Sequence, residues 1–200
     1  MSGDVWVMLH PKAAYSHLFA QPTGRGAWVV LRRPLFVALV LGCTVSLLTL
    51  RSLSVRLVLS SMIAWAFVPL FEIAALAAVW ALSLARHHSP PAVVHAISLS
   101  AAIDLFFTGH APWSLWLIGF GAFWSSVPHS EVFFAAFLMW MCSACAIVIW
   151  SCYIDLCFFR CISAKAGRAL VLQRVVSWSL VAALWSGGWL PSEIVGRLGS

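Results

Sequence analysis

Of the 200 residues, 62% are hydrophobic and 9% are charged. An ordinary soluble domain carries roughly 25% charged residues, so this chain lacks the polar surface needed to cover a water-exposed globule. The net charge of +6 comes from 12 Lys and Arg against 6 Asp and Glu. Nearly all the cations flank apolar runs, where they meet lipid headgroups, which argues against the continuous basic face that nucleic-acid binding requires. Composition therefore points to an all-α, polytopic transmembrane helix bundle whose partner is the lipid bilayer.

Residues 1–33 form a polar to amphipathic lead. Pro11 and Pro22 bracket a short helix in which Tyr15, Leu18 and Phe19 fall at i, i+3 and i+4, with Lys12, Ser16 and His17 elsewhere around the wheel. Such a segment is either an interfacial helix or a loosely ordered tail. No short apolar region followed by an A-x-A-like site occurs near Met1, so the first span is expected to be retained.

Five apolar blocks follow, at 34–50, 57–85, 92–108, 132–159 and 169–190, and residues 191–200 form a tail. About 20 helical residues cross roughly 30 Å of hydrocarbon, so each block is a candidate span. Short connectors, one carrying Pro90 and Pro91, imply antiparallel neighbours.

The third block is ambiguous, because its apolar character continues to Trp124 past an interruption at Gly109-His110-Ala111-Pro112. Lys and Arg collect on the cytoplasmic side of short loops. With one span in this region, Lys12, Arg25, Arg32, Arg33, Arg86, Arg160, Lys165 and Arg168 lie inside and Arg51, Arg56 and Arg197 outside. With two spans the bias vanishes. Five spans are thus expected, N-terminus cytoplasmic and C-terminus outside, in the inner membrane if the source is bacterial. Residues 111–124, with Trp113, Trp116 and Trp124, would then lie at the outer interface, a re-entrant hairpin or a sixth span being the competing arrangements.

The run HPKAAYSHLFAQP, the RRP that opens the first span and the succession of five apolar blocks resemble the Ypt-interacting-protein (Yip) membrane-domain family, particularly its bacterial members. The likeness covers about residues 11–190. The Asp-Leu-Tyr-Gly-Pro signature of the eukaryotic branch does not precede the first span. The resemblance implies a helical membrane fold and a non-catalytic role in organising membrane or partner proteins.

Charges at bilayer depth cost at least about 2.5 kcal/mol each, which singles out Glu72, Asp104, Asp155 and Arg174. Counted from residues 85 and 92, Glu72 and Asp104 sit about 20 Å and about 18 Å above the cytoplasmic boundary. A carboxyl pair at one depth can bind a cation or relay a proton; alternatively, Glu72 bonded to Ser98, Ser100 or a free carbonyl is interhelical glue. Pro69 cannot donate to the carbonyl of Trp65 and should kink the second span beside Glu72. Asp155 and Arg174, at matched shallow depths, form a candidate structural ion pair.

Cys142-Ser-Ala-Cys145 has CxxC spacing, but in mid-span and without a second pair in an outside loop. A membrane thiol oxidoreductase is the outlying alternative. Among His87-His88, His95, His110 and His129, the adjacent His87 and His88 point to different helix faces and His110 and His129 fall in outer loops, so no metal is expected, and no cofactor or nucleotide motif is visible. Two functional readings stand: a non-catalytic Yip-like organiser acting through membrane-protein partners or homo-oligomers, and a small transporter or ion- or proton-conducting protein that uses Glu72 and Asp104.

Overall fold

The computed structural model describes residues 3–20, 27–86, 98–126, 131–163 and 165–186, and every element among them is helical. Helices α1 (Gly3–Leu9) and α2 (Pro11–Ala20) form the lead, followed by α3 (Ala27–Leu50), α4 (Val55–Trp65) and α5 (Phe67–Arg86). Helices α6 (Leu99–Thr108), α7 (Ala111–Ser126), α8 (Glu131–Ile162) and α9 (Ala166–Ser186) complete the described elements. Residues 87–97, 127–130 and 191–200 lie outside the described residues, and with them His87, His88, His95, His129 and the predicted tail.

Among the described residues, four stretches are long and apolar enough to cross a membrane: Val30–Leu50, Val55–Ser83, Phe134–Ile162 and Ala166–Leu184. Their surfaces are greasy. Met139, Ile149 and Phe134 on α8 and Val55 and Ile63 on α4 are each at least 65% exposed, as expected where the solvent is lipid. The second stretch joins α4 and α5 across a turn at Ala66, whose N–H reaches only the carbonyl of Ile63, at 3.3 Å. Pro69, which cannot donate to Trp65, lies three residues on and accounts for the break.

The region predicted as a third block ending at 108, with 111–124 laid on the outer face, is built differently. Ser98 caps α6 by accepting from the N–H of Ala101 at 3.3 Å. Pro112 has no N–H for the carbonyl of Thr108, so α6 ends, but Gly109 keeps right-handed helical angles (φ −67°, ψ −13°) and Pro112 sits in the first turn of α7. The chain bends and carries on.

Side-chain register follows the whole length of this broken column. Along α3 it runs parallel, with Arg32 and Arg33 at Asp104, Thr44 Oγ1 at 3.4 Å from the carbonyl of Leu117, and Leu47 against Gly121. Along α8 it runs antiparallel, pairing Trp124 with Phe137, Trp116 with Ser143, Gly109 with Ile154 and Phe106 with Phe158. Residues 111–126 therefore run lengthwise against α3 and α8, with Pro112, Ser114 and Gly121 buried.

A closely packed core sits at the end of the bundle where α6 begins and α8 finishes, around the fully buried Phe106, Ile154, Phe158, Phe159 and Ile162. The lead docks there. Tyr15 and Phe19 of α2 pack on Phe158, with ring centroids 5.6 Å apart in both cases, and the Tyr15 hydroxyl donates to the carbonyl of Leu105 at 3.3 Å. Burial pushes the Tyr15 phenol well above its ordinary range, so it stays a neutral donor. Trp150 Nε1 donates to the carbonyl of Met8 at 3.1 Å, fastening α1 to α8.

Helices α3 and α4 approach closely at Gly42, where a Cβ would stand 2.6 Å from the carbonyl oxygen of Val58. Arg51 turns the chain between them in the left-handed region (φ 55°), and Ser46 Oγ accepts from the N–H of Ser54 at 3.0 Å. Gly42→Ala must therefore push two backbones apart. It is expected to lower stability by about 1–3 kcal/mol, read as a lowered melting temperature of the purified protein in detergent.

Candidate functional site

The four charges singled out in the sequence divide between two clusters. Counted from the cap at Ser98, and not from residue 92, Asp104 lies only about 9 Å into its helix. There it accepts from Arg32 Nε at 2.8 Å and Arg32 Nη2 at 2.7 Å and contacts Arg33 Nη1 closely, while its own carbonyl accepts from Arg33 at 3.0 Å. Asp104 is thus a clamp for the start of α3, and it does not face Glu72.

Glu72 is held by residues from other columns. Its Oε2 is 2.5 Å from His110 Nε2, and its Oε1 accepts from Arg174 Nη1 at 3.3 Å. Arg174 Nη2 also contacts Asp155 Oδ2 closely, so one guanidinium of α9 bridges a carboxylate of α5 and a carboxylate of α8. The predicted Asp155–Arg174 partners are in contact, and their cluster extends to the two residues beyond them. The long Arg174 side chain reaches the level of Glu72 from a shallower position. Ser98 and Ser100, proposed as partners of Glu72, bond to each other at 2.7 Å.

His110 is the residue that sequence reasoning placed in an outer loop. It occupies the bend between α6 and α7, 9% exposed, with its ring stacked on Phe107 at 4.8 Å and edge-on to Phe106 at 5.2 Å. Twelve residues beyond Ser98, it lies about 18 Å in, close to the about 16 Å of Glu72 counted from Ser83. The Gly109-His110-Ala111-Pro112 interruption carries the signal for this position, as a bend within a continuing column. Gly109 allows the approach of α8, since a Cβ there would meet Ile154 Cγ2 at 3.0 Å and Asp155 Oδ1 at 3.2 Å.

These ionisable groups line a cavity of about 350 Å³ bounded by every long column of the bundle. Val37 and Leu41 come from α3, Val68 and Pro69 from α5, Trp113 and Leu117 from α7, Val148 and Cys152 from α8, and Trp178 from α9. The wall is mostly apolar with the charges gathered at one place. Two polar atoms of lining residues, His110 Nδ1 and Ser151 Oγ, are buried without a hydrogen-bond partner among the described residues.

Cys142 and Cys145 are exposed on the outer face of α8, and all six cysteines are free. No group of three or more potential metal ligands occurs among the described residues.

Compared with known proteins, the chain matches no family model, no curated protein and no solved structure. The Yip resemblance thus rests on sequence layout alone.

Removing one partner of a buried ion pair leaves an uncompensated charge and costs about 3–5 kcal/mol. Arg174→Gln exposes two carboxylates to that penalty and should destabilise the protein strongly. Adding Asp155→Asn to Arg174→Gln should recover part of the loss, giving a non-additive double-mutant cycle in equilibrium unfolding measurements.

Proposed function

We propose that this is an integral membrane protein of five helical columns that works as a small proton-coupled carrier, with the Glu72–His110 pair as the proton-handling group. The columns are α3, α4–α5, α6–α7, α8 and α9. On this reading the chain enters from a cytoplasmic N-terminus and leaves with its C-terminus outside, which keeps Arg32, Arg33, Arg160, Lys165 and Arg168 on the cytoplasmic side. The broken α6–α7 column counts as one crossing, because its register against α3 and α8 extends from Asp104 to Trp124.

One observation carries the functional reading: ionisable side chains from α5, the α6–α7 bend, α8 and α9 converge on a single cavity inside an otherwise apolar bundle. Ionisable groups inside a membrane protein are costly and, where they line a cavity, mark ion or proton paths. A carboxylate and an imidazole 2.5 Å apart can pass a proton between them with little movement of either helix. A helix interrupted at this depth is tolerated where it is buried in protein or lines a cavity, which is where Gly109 and His110 lie.

The competing reading makes the same network interhelical glue in a Yip-like organising protein. Glu72→Gln separates the two, because it keeps shape and hydrogen bonding but removes the charge. In proteoliposomes loaded with a pH-sensitive dye and offered a panel of organic cations, organic anions and neutral amphiphiles, wild type should change internal pH in response to at least one class. Glu72→Gln should reduce that response at least about tenfold. A folded wild-type protein that moves no protons with any class would leave the glue reading standing.

A further inference from the structure

We infer that the cavity takes a hydrophobic organic cation, held against the indole faces of Trp113 and Trp178 and by the negative charge at Glu72. This deepens the carrier reading by naming its substrate class, and its exchange with protons rests on that reading, whereas binding requires only the cavity.

The charge balance sets the sign of the ligand. Arg174 faces the cavity from α9, Glu72 from α5 and Asp155 from α8; the α3 lining residues Val37 and Leu41 are uncharged, and Cys152 of α8 is the remaining titratable lining residue besides His110. With His110 neutral, two carboxylates meet one guanidinium and the site holds one net negative charge. A buried charge without a counter-ion is expensive, so a monovalent cation is stabilised there and an anion is repelled. Protonation of His110 supplies the same positive charge, so the proton and the cation exclude each other and exchange one for one.

The walls set its character. Indole faces attract cations, most strongly where water is excluded, and Trp113 and Trp178 line the same cavity as Glu72. The remaining wall is largely apolar, and about 350 Å³ lies within the range of pockets that enclose small organic molecules. Two lining residues, Val148 of α8 and Trp178 of α9, are 47% and 66% exposed. The cavity therefore reaches the outer surface of the bundle between those helices, where a solute that partitions into lipid arrives. A strongly hydrated ion has no reason to approach by that route and would lose its shell against an apolar wall.

The test uses tetraphenylphosphonium and its isosteric anion tetraphenylborate, titrated calorimetrically into the full-length protein in detergent between pH 6 and pH 9. One-to-one saturable binding of the cation is expected, tightening as pH rises and releasing protons, with the borate at least about tenfold weaker. His110→Asn should keep binding but lose the pH dependence and the proton release, and Glu72→Gln should abolish binding. Trp178→Leu alters a side chain that is 66% exposed, and should weaken binding by about threefold to thirtyfold.

Absence of saturable binding at pH 9, equal binding of the two probes, or wild-type affinity in Trp178→Leu would each overturn the inference. Cation binding without proton movement in liposomes would uphold the binding site and overturn the carrier reading. Proton movement driven only by anions or neutral solutes would do the reverse.

Discussion

The bundle is organised around a single guanidinium. Arg174 of α9 contacts Glu72 of α5 and Asp155 of α8, so three columns share one ionic centre. In lipid the apolar surfaces of helices gain little by meeting each other, because acyl chains are as apolar as leucine; association then depends on polar contacts and close backbone approach. Both are present. The carboxylates cannot separate from Arg174 without facing hydrocarbon alone, and the small residues Gly42, Gly109 and Gly121 let α3, α4, α7 and α8 come near enough to hold that geometry.

From this centre the bend at Gly109 and His110 acquires its role. A straight helix over 99–126 would keep its backbone groups satisfied and present only side chains to the cavity. Pro112 interrupts the ladder at the depth of Glu72, and the imidazole fills the interruption against Phe106 and Phe107. The second column is broken at a comparable depth, at Ala66 and Pro69, on another wall of the same cavity. Two interrupted columns around one polar cluster make this the part of the bundle with the weakest backbone continuity, while the aromatic core around Phe158 is dense and regular.

Much of the scaffold was legible because lipid imposes simple rules. Apolar length located the long helices, and the i, i+3, i+4 pattern of Tyr15, Leu18 and Phe19 located α2, although its apolar face meets protein as well as any interface. The matched depths of Asp155 and Arg174 brought those two residues together on paper as they are in space. The site was harder to see, for two physical reasons. Depth was counted from residue 92, whereas the described helix starts at the Ser98 cap, and that shift carried Asp104 from the middle of the bundle to the reach of Arg32 and Arg33. The Gly109-His110-Ala111-Pro112 run reads as an interruption, whereas a proline in the first turn of a helix needs no N–H, and the column continues with His110 inside it.

The attachment of α1 and α2 has a temporal side. Met8 is held by Trp150 and Tyr15 by Leu105, contacts that span 142 and 90 positions of the chain. At about 5–20 residues per second, the ribosome makes the first residues roughly 7–30 s before Trp150 exists. Through that interval the lead has no finished surface to rest on. Its docking therefore waits until most of α8 has been made.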